Sequence, residues 1–368
     1  MKRHLLTLFS VLLMFACLLS ACTSDSQDLV SDSTEAPETV ELTILGTSDI
    51  HGYFMPWEYA SDTAYEYGSL ASLATLIKEV RAERENVILV DCGDTIQDNY
   101  NELFKDSEHN PLIEGMNALN YDVWVMGNHE YNFTPDILNK WISQFQGTSL
   151  SGIVYYKSGE NAGTQYLPST TVIERGGVRI GIVGLTTPMI EAFEATSGTL
   201  DSYEIHDGIS ETGKALAELE GKTDIIIGVM HMGMKDENGI EGTGMESILK
   251  AYPQFDAVIC GHFHQTVDNE LVEGVPITEP GMWASHLSRV DLVLKKTDSG
   301  WDIVEKDLYT LSTEGVADDE ETIDLLTPYH EQLRAWVNEP IGRVVGDQNM
   351  IPPDDIQGIA TVQTQPTA

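Results

Sequence analysis

Short apolar runs that stop at polar residues dominate the central part of the chain. Five runs of four to six residues predict buried strands: 42–45, 87–90, 123–126, 225–230 and 257–260. Each run is followed at once or within a few residues by Asp, Asn or His. Because ligands bind beyond the carboxyl ends of strands in open α/β sheets, we expect these polar side chains to converge on one site.

Helical patterns alternate with the strands from residue 40 to about residue 310, which is typical of a layered α/β domain. The clearest helix has apolar residues at helical spacing, namely Leu70, Leu73, Ala74, Ile77 and Val80. Beyond residue 264, segments 265–272, 276–279, 287–294 and 301–308 predict more strands, in a second or a mixed sheet. The spacing of Ile323, Leu326, Leu333, Trp336 and Val337 predicts one long helix that Pro340 ends.

The first residues have the pattern of an export signal. A basic start precedes an almost wholly apolar stretch, residues 5–19, that is short for a membrane span. The next small residues and Cys22 resemble the lipobox of bacterial lipoproteins, which implies a signal peptide over 1–21 and lipidation of Cys22; an ordinary secretory signal is the alternative. Residues 22–39 predict a disordered tether. We therefore expect a protein that is exported and lipid-anchored, at the outer face of the cell membrane or in the periplasm.

The charge balance limits the partners. The chain has 20 Lys and Arg residues against 59 Asp and Glu residues. Binding a nucleic-acid polymer through its backbone requires a basic surface, so the acidic balance argues against this class of partner, and we expect none. An anionic substrate would need localised positive charge, for which metal ions are the best source.

Two cysteines, Cys92 and Cys260, lie in the expected domain, each at the end of a predicted strand. An exported domain permits a disulfide between them. We favour two buried thiols, and we disfavour metal ligation by these thiols because the better-placed donors are nitrogen and oxygen.

In two places, two residues with metal-binding side chains are separated by one position. Asp49 and His51 form one pair, and His262 and His264 form the other. In an extended segment both side chains of such a pair point to the same side. Carboxylate, imidazole and amide donors suit Zn, Mn, Fe(II) or Co, and the donors are too numerous for one tetrahedral ion. The sequence therefore favours two divalent ions.

The order of these motifs resembles that of the calcineurin-like metallophosphoesterase family. The motifs are Asp49-x-His51, Gly93-Asp94, Gly127-Asn128-His129-Glu130, His231 and Gly261-His262-x-His264. Residues 47–52, 89–97 and 280–287 resemble, more narrowly, the exported bacterial 5'-nucleotidases and 2',3'-cyclic-nucleotide 2'-phosphodiesterases. The likeness runs from about residue 40 to the end of the chain. It implies an α/β sandwich of two mixed β-sheets flanked by helices.

The resemblance also implies a role for each motif residue. One ion would be held by Asp49, His51, Asp94 and His264, and Asp94 would bridge to a second ion held by Asn128, His231 and His262. His129 would face the substrate and stabilise developing phosphoryl charge or assist the leaving oxygen. Asn132 is the second catalytic candidate, as the residue that orients His129. The 5'-nucleotidase branch generally has Asp at this position and the cyclic phosphodiesterase branch has Asn, which favours cyclic or diester substrates.

Three features depart from the family pattern or remain open. Asp98 stands where the family usually has Gly, and its carboxylate either repels a phosphate or points outward. His286 either supports a metal ligand or is structural. The family continues into a C-terminal domain whose aromatic side chains stack on the nucleobase. We expect a catalytic domain over 40–315, a linker helix over 316–339, and at 340–368 the start of that domain, which is otherwise missing here and could be supplied separately.

These features predict an exported, dinuclear metal-dependent hydrolase of nucleotide phosphate esters. The small-molecule substrate expected first is a 2',3'-cyclic nucleotide, cleaved as by a 2',3'-cyclic-nucleotide 2'-phosphodiesterase. A 5'-nucleotidase is the alternative among enzymes. A surface lipoprotein that binds metal or nucleotide without turnover is the alternative from another class.

Overall fold

The structure, a computed structural model, describes residues 38–341. The predicted signal peptide, Cys22, the tether up to residue 37 and residues 342–368 lie outside the described residues. The strands are β1 (Thr39–Thr47), β2 (Trp57–Glu58), β3 (Thr63–Ala64), β4 (Val87–Asp91), β5 (Val123–Val125), β6 (Thr148–Leu150), β7 (Val154–Tyr156), β8 (Thr170–Arg175), β9 (Val178–Thr186), β10 (Tyr203–Ile205), β11 (Ile225–His231), β12 (Ala257–Cys260), β13 (Thr266–Val272), β14 (Val275–Pro280), β15 (His286–Thr297) and β16 (Gly300–Ser312). The helices are α1 (Leu70–Glu83), α2 (Pro111–Ala118), α3 (Pro135–Ile142), α4 (Ile190–Phe193), α5 (Gly208–Leu219), α6 (Met245–Ala251) and α7 (Glu320–Val337), with short 3₁₀ segments at Asn101–Asp106, His129–Asn132 and Glu237–Gly239.

Two six-stranded mixed sheets form the framework. The first has the order β16-β15-β1-β4-β5-β6, and its strands β1, β4, β5 and β6 are parallel. The second has the order β13-β14-β12-β11-β9-β8, with β14, β12, β11 and β9 parallel. All four strands expected after residue 264 form, but they divide between the sheets. Strands β13 and β14 extend the second sheet, whereas β15 and β16 extend the first along β1.

The two sheets pack face to face through aliphatic side chains. This layer includes Ile44, Val90 and Val125 from the first sheet and Ile182, Ile227 and Ile259 from the second, all fully buried. Cys92 lies in the same layer, and Cys260 is buried on the other side of its strand. Both thiols are free, which agrees with the favoured interpretation.

Helices cover the outer faces, as the apolar spacing predicts. Helix α1 begins after Ser69, whose hydroxyl accepts the Ser72 N–H, while the Ser72 hydroxyl accepts the Ser69 N–H. It buries the predicted apolar residues of its inner face. None of the helices within residues 38–341 is both long and apolar enough to cross a membrane.

Helix α7, expected to be a linker, packs on the domain. Its residues Leu326 and Leu333 are fully buried. Asp319, which caps the N-terminus of the helix, accepts hydrogen bonds from Lys78 on α1. The helix ends at Val337, shortly before the predicted stop at Pro340. Its inner face therefore belongs to the same core as α1 and α2.

The packing between the sheets predicts that two Val→Ala substitutions have very different effects on the free energy of unfolding. Val229 on β11 is fully buried, whereas the Val172 side chain on β8 is 43% exposed. Val229→Ala should lower the free energy of unfolding by about 2 kcal/mol, because it leaves a cavity between the sheets. Val172→Ala should change it by less than about 0.5 kcal/mol. Denaturant unfolding measures both, and equal losses would contradict this packing.

Candidate metal centre

All seven predicted metal ligands lie together at strand ends of the two sheets. Asp49 and His51 follow β1, Asp94 follows β4, Asn128 follows β5, His231 ends β11, and His262 and His264 follow β12. Parallel strands of both sheets thus direct their carboxyl ends to one region, as the sequence pattern predicts. Their roles as ligands stay a prediction.

Three of these side chains form a first cluster. The Nε2 atom of His264 lies 3.3 Å from Asp49 Oδ1 and 3.2 Å from the Nε2 atom of His51. One donor atom from each residue lies within 4.8 Å of the others. Asp49 and His51 are buried, whereas His264 is exposed. The cluster is therefore open to solvent on the side of His264.

Asp94, His231 and His262 form a second cluster with the same spread of donor atoms, within 4.8 Å. The Nε2 atom of His231 lies 3.1 Å from Asp94 Oδ2 and 3.0 Å from Asn128 Oδ1. The same Asp94 oxygen lies 4.0 Å from His51 Nε2. The two clusters therefore adjoin at Asp94, and their carboxylate, imidazole and amide donors fit a pair of borderline divalent ions.

Hydrogen bonds orient the histidine rings from behind. The Nδ1 atoms of His51 and His231 donate to the carbonyl oxygens of Gln97, at 3.3 Å, and Cys92, at 2.8 Å. In the neutral ring, each bond leaves the Nε2 lone pair directed toward the cluster. His262 is held through its other ring nitrogen, because its Nε2 atom lies 3.0 Å from Glu237 Oε2. Sequence reasoning did not single out Glu237, which lies 25 positions before its partner.

The backbone of the ligand loops is unusual. Five of the candidate ligands have positive φ values, namely Asp49 (52°), His51 (49°), Asp94 (53°), His262 (77°) and His264 (57°). Left-handed backbone at residues other than glycine costs roughly 1–3 kcal/mol each and concentrates at functional sites. The surrounding sheets therefore hold these loops in a conformation that the loops alone do not favour.

Two motif glycines allow close approach to the carboxylates. A Cβ atom on Gly127 would lie 2.3 Å from Asp94 Oδ1, and one on Gly261 would lie 1.9 Å from the Ser48 hydroxyl and 2.8 Å from Asp49 Oδ2. Any side chain at either position would displace a candidate ligand or its neighbour.

Glu130 ties two ligand loops together from inside the protein. Its fully buried carboxylate accepts hydrogen bonds from the backbone N–H groups of Asp94 (2.8 Å), Thr95 (2.8 Å), Ile96 (3.2 Å) and Gly127 (2.7 Å). The sequence placed Glu130 in a motif but gave it no role. The sequence feature that could have indicated this role is the position of Glu130 directly after Asn128 and His129.

Burial and charge pairing oppose each other within the second cluster. Burial disfavours the ionised form of Asp94, but His231 more than offsets this and holds the pKa of Asp94 below its ordinary value. Burial likewise lowers the pKa of His231, but Asp94 more than offsets it and the net pKa is raised. Without a cation, the two residues therefore form a buried ion pair with a protonated His231.

His129 and Asn132 lie beside the clusters, in contact with each other. The His129 ring centroid is 5.3 Å from that of His51, and its backbone N–H donates to Asp94 Oδ1 at 2.7 Å. Its Nδ1 atom lies 2.7 Å from Asn132 Oδ1. The amide nitrogen of Asn132 donates to Glu194 Oε1 at 2.5 Å, a contact that the sequence did not predict.

The structure also gives the positions of two uncertain residues. Asp98 is exposed and its carboxylate accepts the Asn99 N–H at 2.8 Å, in keeping with an outward orientation. The Nδ1 atom of His286 lies 3.0 Å from the Ser285 hydroxyl. Neither residue is part of the two donor clusters.

A two-sheet sandwich with paired donor clusters defines a metal-dependent hydrolase. The sequence profile of calcineurin-like phosphoesterases matches residues 42–266, more than half of the chain. The chain therefore belongs to the calcineurin-like phosphoesterase family, whose members use divalent metals. This confirms the predicted family, the sandwich fold and the metal-dependent phosphoesterase class.

Similar proteins cover most of this chain. A 2',3'-cyclic-nucleotide 2'-phosphodiesterase/3'-nucleotidase of Haemophilus influenzae is 30% identical over 338 residues, which are 83% of this chain and 51% of that protein. A 5'-nucleotidase of Vibrio cholerae is 26% identical over 86% of this chain and 64% of its own length. The crystal structure of the calcineurin-like phosphoesterase YfkN from Bacillus subtilis has the same fold, with a TM-score of 0.75 at 24% identity over 82% of this chain and 100% of that one. The chain thus spans about half of its Haemophilus relative.

The contacts of Glu130 predict a loss of metal affinity on substitution. Glu130→Gln places an NH₂ group against backbone N–H donors and should loosen the loop that carries Asp94. We expect Mn²⁺ affinity, measured by calorimetry, to fall about 10- to 100-fold. Glu108→Gln is the matched control, because the Glu108 side chain is 90% exposed. Equal affinity in both variants would show that the buried contacts do not support the site.

The raised pKa of His231 predicts that cations bind more tightly as the pH rises. Below that pKa the ring holds a proton that a cation must displace, so each step toward higher pH favours the cation. Between about pH 5 and about pH 8, Mn²⁺ affinity should increase and binding should release a proton. His231→Asn should flatten this dependence, whereas His109→Gln should retain it. An affinity independent of pH in the unaltered chain would contradict the ion pair.

Proposed function

We propose that this chain carries the catalytic domain of an exported hydrolase of nucleotide phosphate esters. We also propose that 2',3'-cyclic nucleotides are its preferred substrates. The carrying observation is the position of His129. Its ring stands beside His51, and its backbone N–H binds Asp94, the carboxylate at which the two donor clusters adjoin. A phosphate drawn to these clusters would meet the His129 side chain at their edge.

In this proposal the first cluster and Asp94 hold one divalent ion, and Asp94, Asn128, His231 and His262 hold the other. When bound, the two ions supply positive charge to the phosphate and acidify water for an in-line displacement. The localised charge is needed because the chain as a whole carries a formal net charge of -39.

The residues of the chain do the remaining work. Asp94 and Asn128 fix the spacing of the donors, and the strained loops hold them before the substrate arrives. His129 presents one ring nitrogen to Asn132 and the other to the site. With Nδ1 donating to Asn132, the protonated ring can donate from its other nitrogen to a phosphoryl oxygen or to the leaving oxygen, and the neutral ring can accept a proton there.

Two observations support the cyclic diester over the 5'-monoester. Asn132, rather than Asp, contacts His129. The Haemophilus relative, at 30% identity, is a cyclic-nucleotide phosphodiesterase/3'-nucleotidase. A 5'-nucleotidase is the second candidate, supported by the Vibrio cholerae relative of that name.

Export and anchoring are part of the same proposal. The pattern of residues 1–21 and Cys22 supports a signal peptide and a lipid anchor as the only membrane attachment. Because the chain spans about half of its Haemophilus relative, we also propose that contacts to the nucleobase involve a further domain, in this protein or in a partner. Remote contacts of that kind raise kcat as well as affinity.

The proposal is tested with Asp94→Ala and the matched control Asp298→Ala, whose site lies in the exposed turn between β15 and β16. Hydrolysis of 2',3'-cyclic AMP in the presence of Mn²⁺ should fall on the order of a thousandfold in Asp94→Ala, because the shared ligand is lost. The control should keep its rate, and a chelator should abolish it. Equal hydrolysis in both variants would contradict the enzymatic proposal and favour a surface lipoprotein that binds metal or nucleotide without turnover.

Comparison of esters separates the two candidate activities. The kcat/KM ratio should favour 2',3'-cyclic AMP over 5'-AMP, measured on the same metal-loaded sample. A preference for 5'-AMP would replace the phosphodiesterase with the 5'-nucleotidase.

A further inference from the structure

The Asn132 side chain is held from two sides by groups of different chemistry. One partner is the Nδ1 atom of His129, 2.7 Å from the Asn132 oxygen. The other is Glu194 Oε1, which accepts from the Asn132 amide nitrogen at 2.5 Å. The Asn132 side chain is exposed, so its orientation depends on these two contacts rather than on packing.

The carboxylate decides which way the amide points. An ionised carboxylate can only accept hydrogen bonds, so the NH₂ group of Asn132 must face Glu194. The oxygen of Asn132 then faces His129, and Nδ1 of that ring must be the N–H donor. In the neutral form of the ring, this contact leaves the lone pair on Nε2, the nitrogen that does not contact Asn132.

The surroundings of Glu194 hold its carboxylate in place. The residue is 8% exposed and directly follows α4, where its backbone N–H donates to Ile190 at 2.9 Å. The Thr199 hydroxyl donates to the second carboxylate oxygen at 3.3 Å. The Glu194 carbonyl accepts the Ser197 N–H and hydroxyl, which closes the turn after the helix.

We propose that Glu194 is a positioning residue that fixes the orientation of Asn132 and, through it, the Nδ1–H tautomer of His129. This inference rests on the proposed function for its kinetic consequence, but not for its structural one. It also explains the residue at position 132. A carboxylate there would lie at hydrogen-bonding distance from Glu194, so Asn132→Asp would set two like charges against each other.

A spectroscopic test reads the tautomer directly. Imidazole nitrogen NMR of the chain loaded with Zn²⁺, with the signals assigned through His129→Gln, should show the Nδ1–H tautomer of His129. Glu194→Ala should shift the population toward Nε2–H, and Glu194→Gln should preserve Nδ1–H, because the Gln oxygen still accepts from Asn132. Glu191→Ala removes an exposed carboxylate of α4 and should have no effect. An unchanged tautomer in Glu194→Ala would overturn the proposal.

A charge-swapped pair provides the kinetic test. Glu194→Ala should lower kcat for 2',3'-cyclic AMP about tenfold with little change in KM, and Glu194→Gln should retain most of the rate. Asn132→Asp alone should lower kcat. The double variant Asn132→Asp/Glu194→Gln should recover it, because the new amide donates to the new carboxylate. Additive losses in the double variant, or equal losses in Glu194→Ala and Glu194→Gln, would overturn the proposal.

The two tests distinguish this inference from the proposed function. If the unaltered chain hydrolyses no nucleotide ester, the proposed function fails and the tautomer still decides the role of Glu194. If the chain is active and Glu194→Ala changes neither tautomer nor kcat, only the role of Glu194 fails.

Discussion

The buried carboxylate of Glu130 is the contact on which the geometry of the site depends. It accepts N–H groups from both the loop after β4 and the loop after β5, and so joins two adjacent strand ends. Burial and the nearby Asp94 carboxylate raise the pKa of Glu130, and the backbone hydrogen bonds act against that rise. The backbone N–H of Asp94 points inward to Glu130, while its side chain faces the cluster. The position of the Asp94 side chain, where the two donor clusters adjoin, is thus supported by a contact on the opposite side of its loop.

The strained backbone follows from the same constraint. Two of the ligand loops turn sharply at the end of a buried strand, and each of them carries two candidate ligands. Asp49 and His51, or His262 and His264, make that turn with left-handed residues rather than with an extended segment. The sequence predicted a shared side for each pair from an extended conformation. Asp49 and His51 do lie in one cluster, whereas His262 and His264 lie in adjoining clusters, and both pairs have left-handed backbone. The rigid sheets, not local preference, maintain these turns.

The parts of the molecule that could be predicted are those encoded locally. Apolar runs mark the strands, and the polar residues that follow them mark the site, because strand direction brings carboxyl ends together. The partners of those residues are set by the packing of distant segments. Glu194 is 62 positions from Asn132, and Glu237 contacts His262 from a short helix of another loop. The assignment of β13 and β14 to one sheet and β15 and β16 to the other depends on free sheet edges, which local patterns do not describe.

The contact between Asn132 and Glu194 changes how strongly Asn132 indicates the class of substrate. From the sequence, Asn132 favours a cyclic or diester substrate by resemblance, because the cyclic phosphodiesterase branch generally has Asn at this position. In the structure a carboxylate is present after all, one hydrogen bond further from the ring, and its position is by itself a sufficient reason for an amide at 132. Asn132 is therefore weaker support for a diester than the sequence suggests, and groups that contact the substrate beyond the phosphate must contribute to the choice between diester and monoester. Binding energy from contacts to the rest of the nucleotide acts on both rate and selectivity.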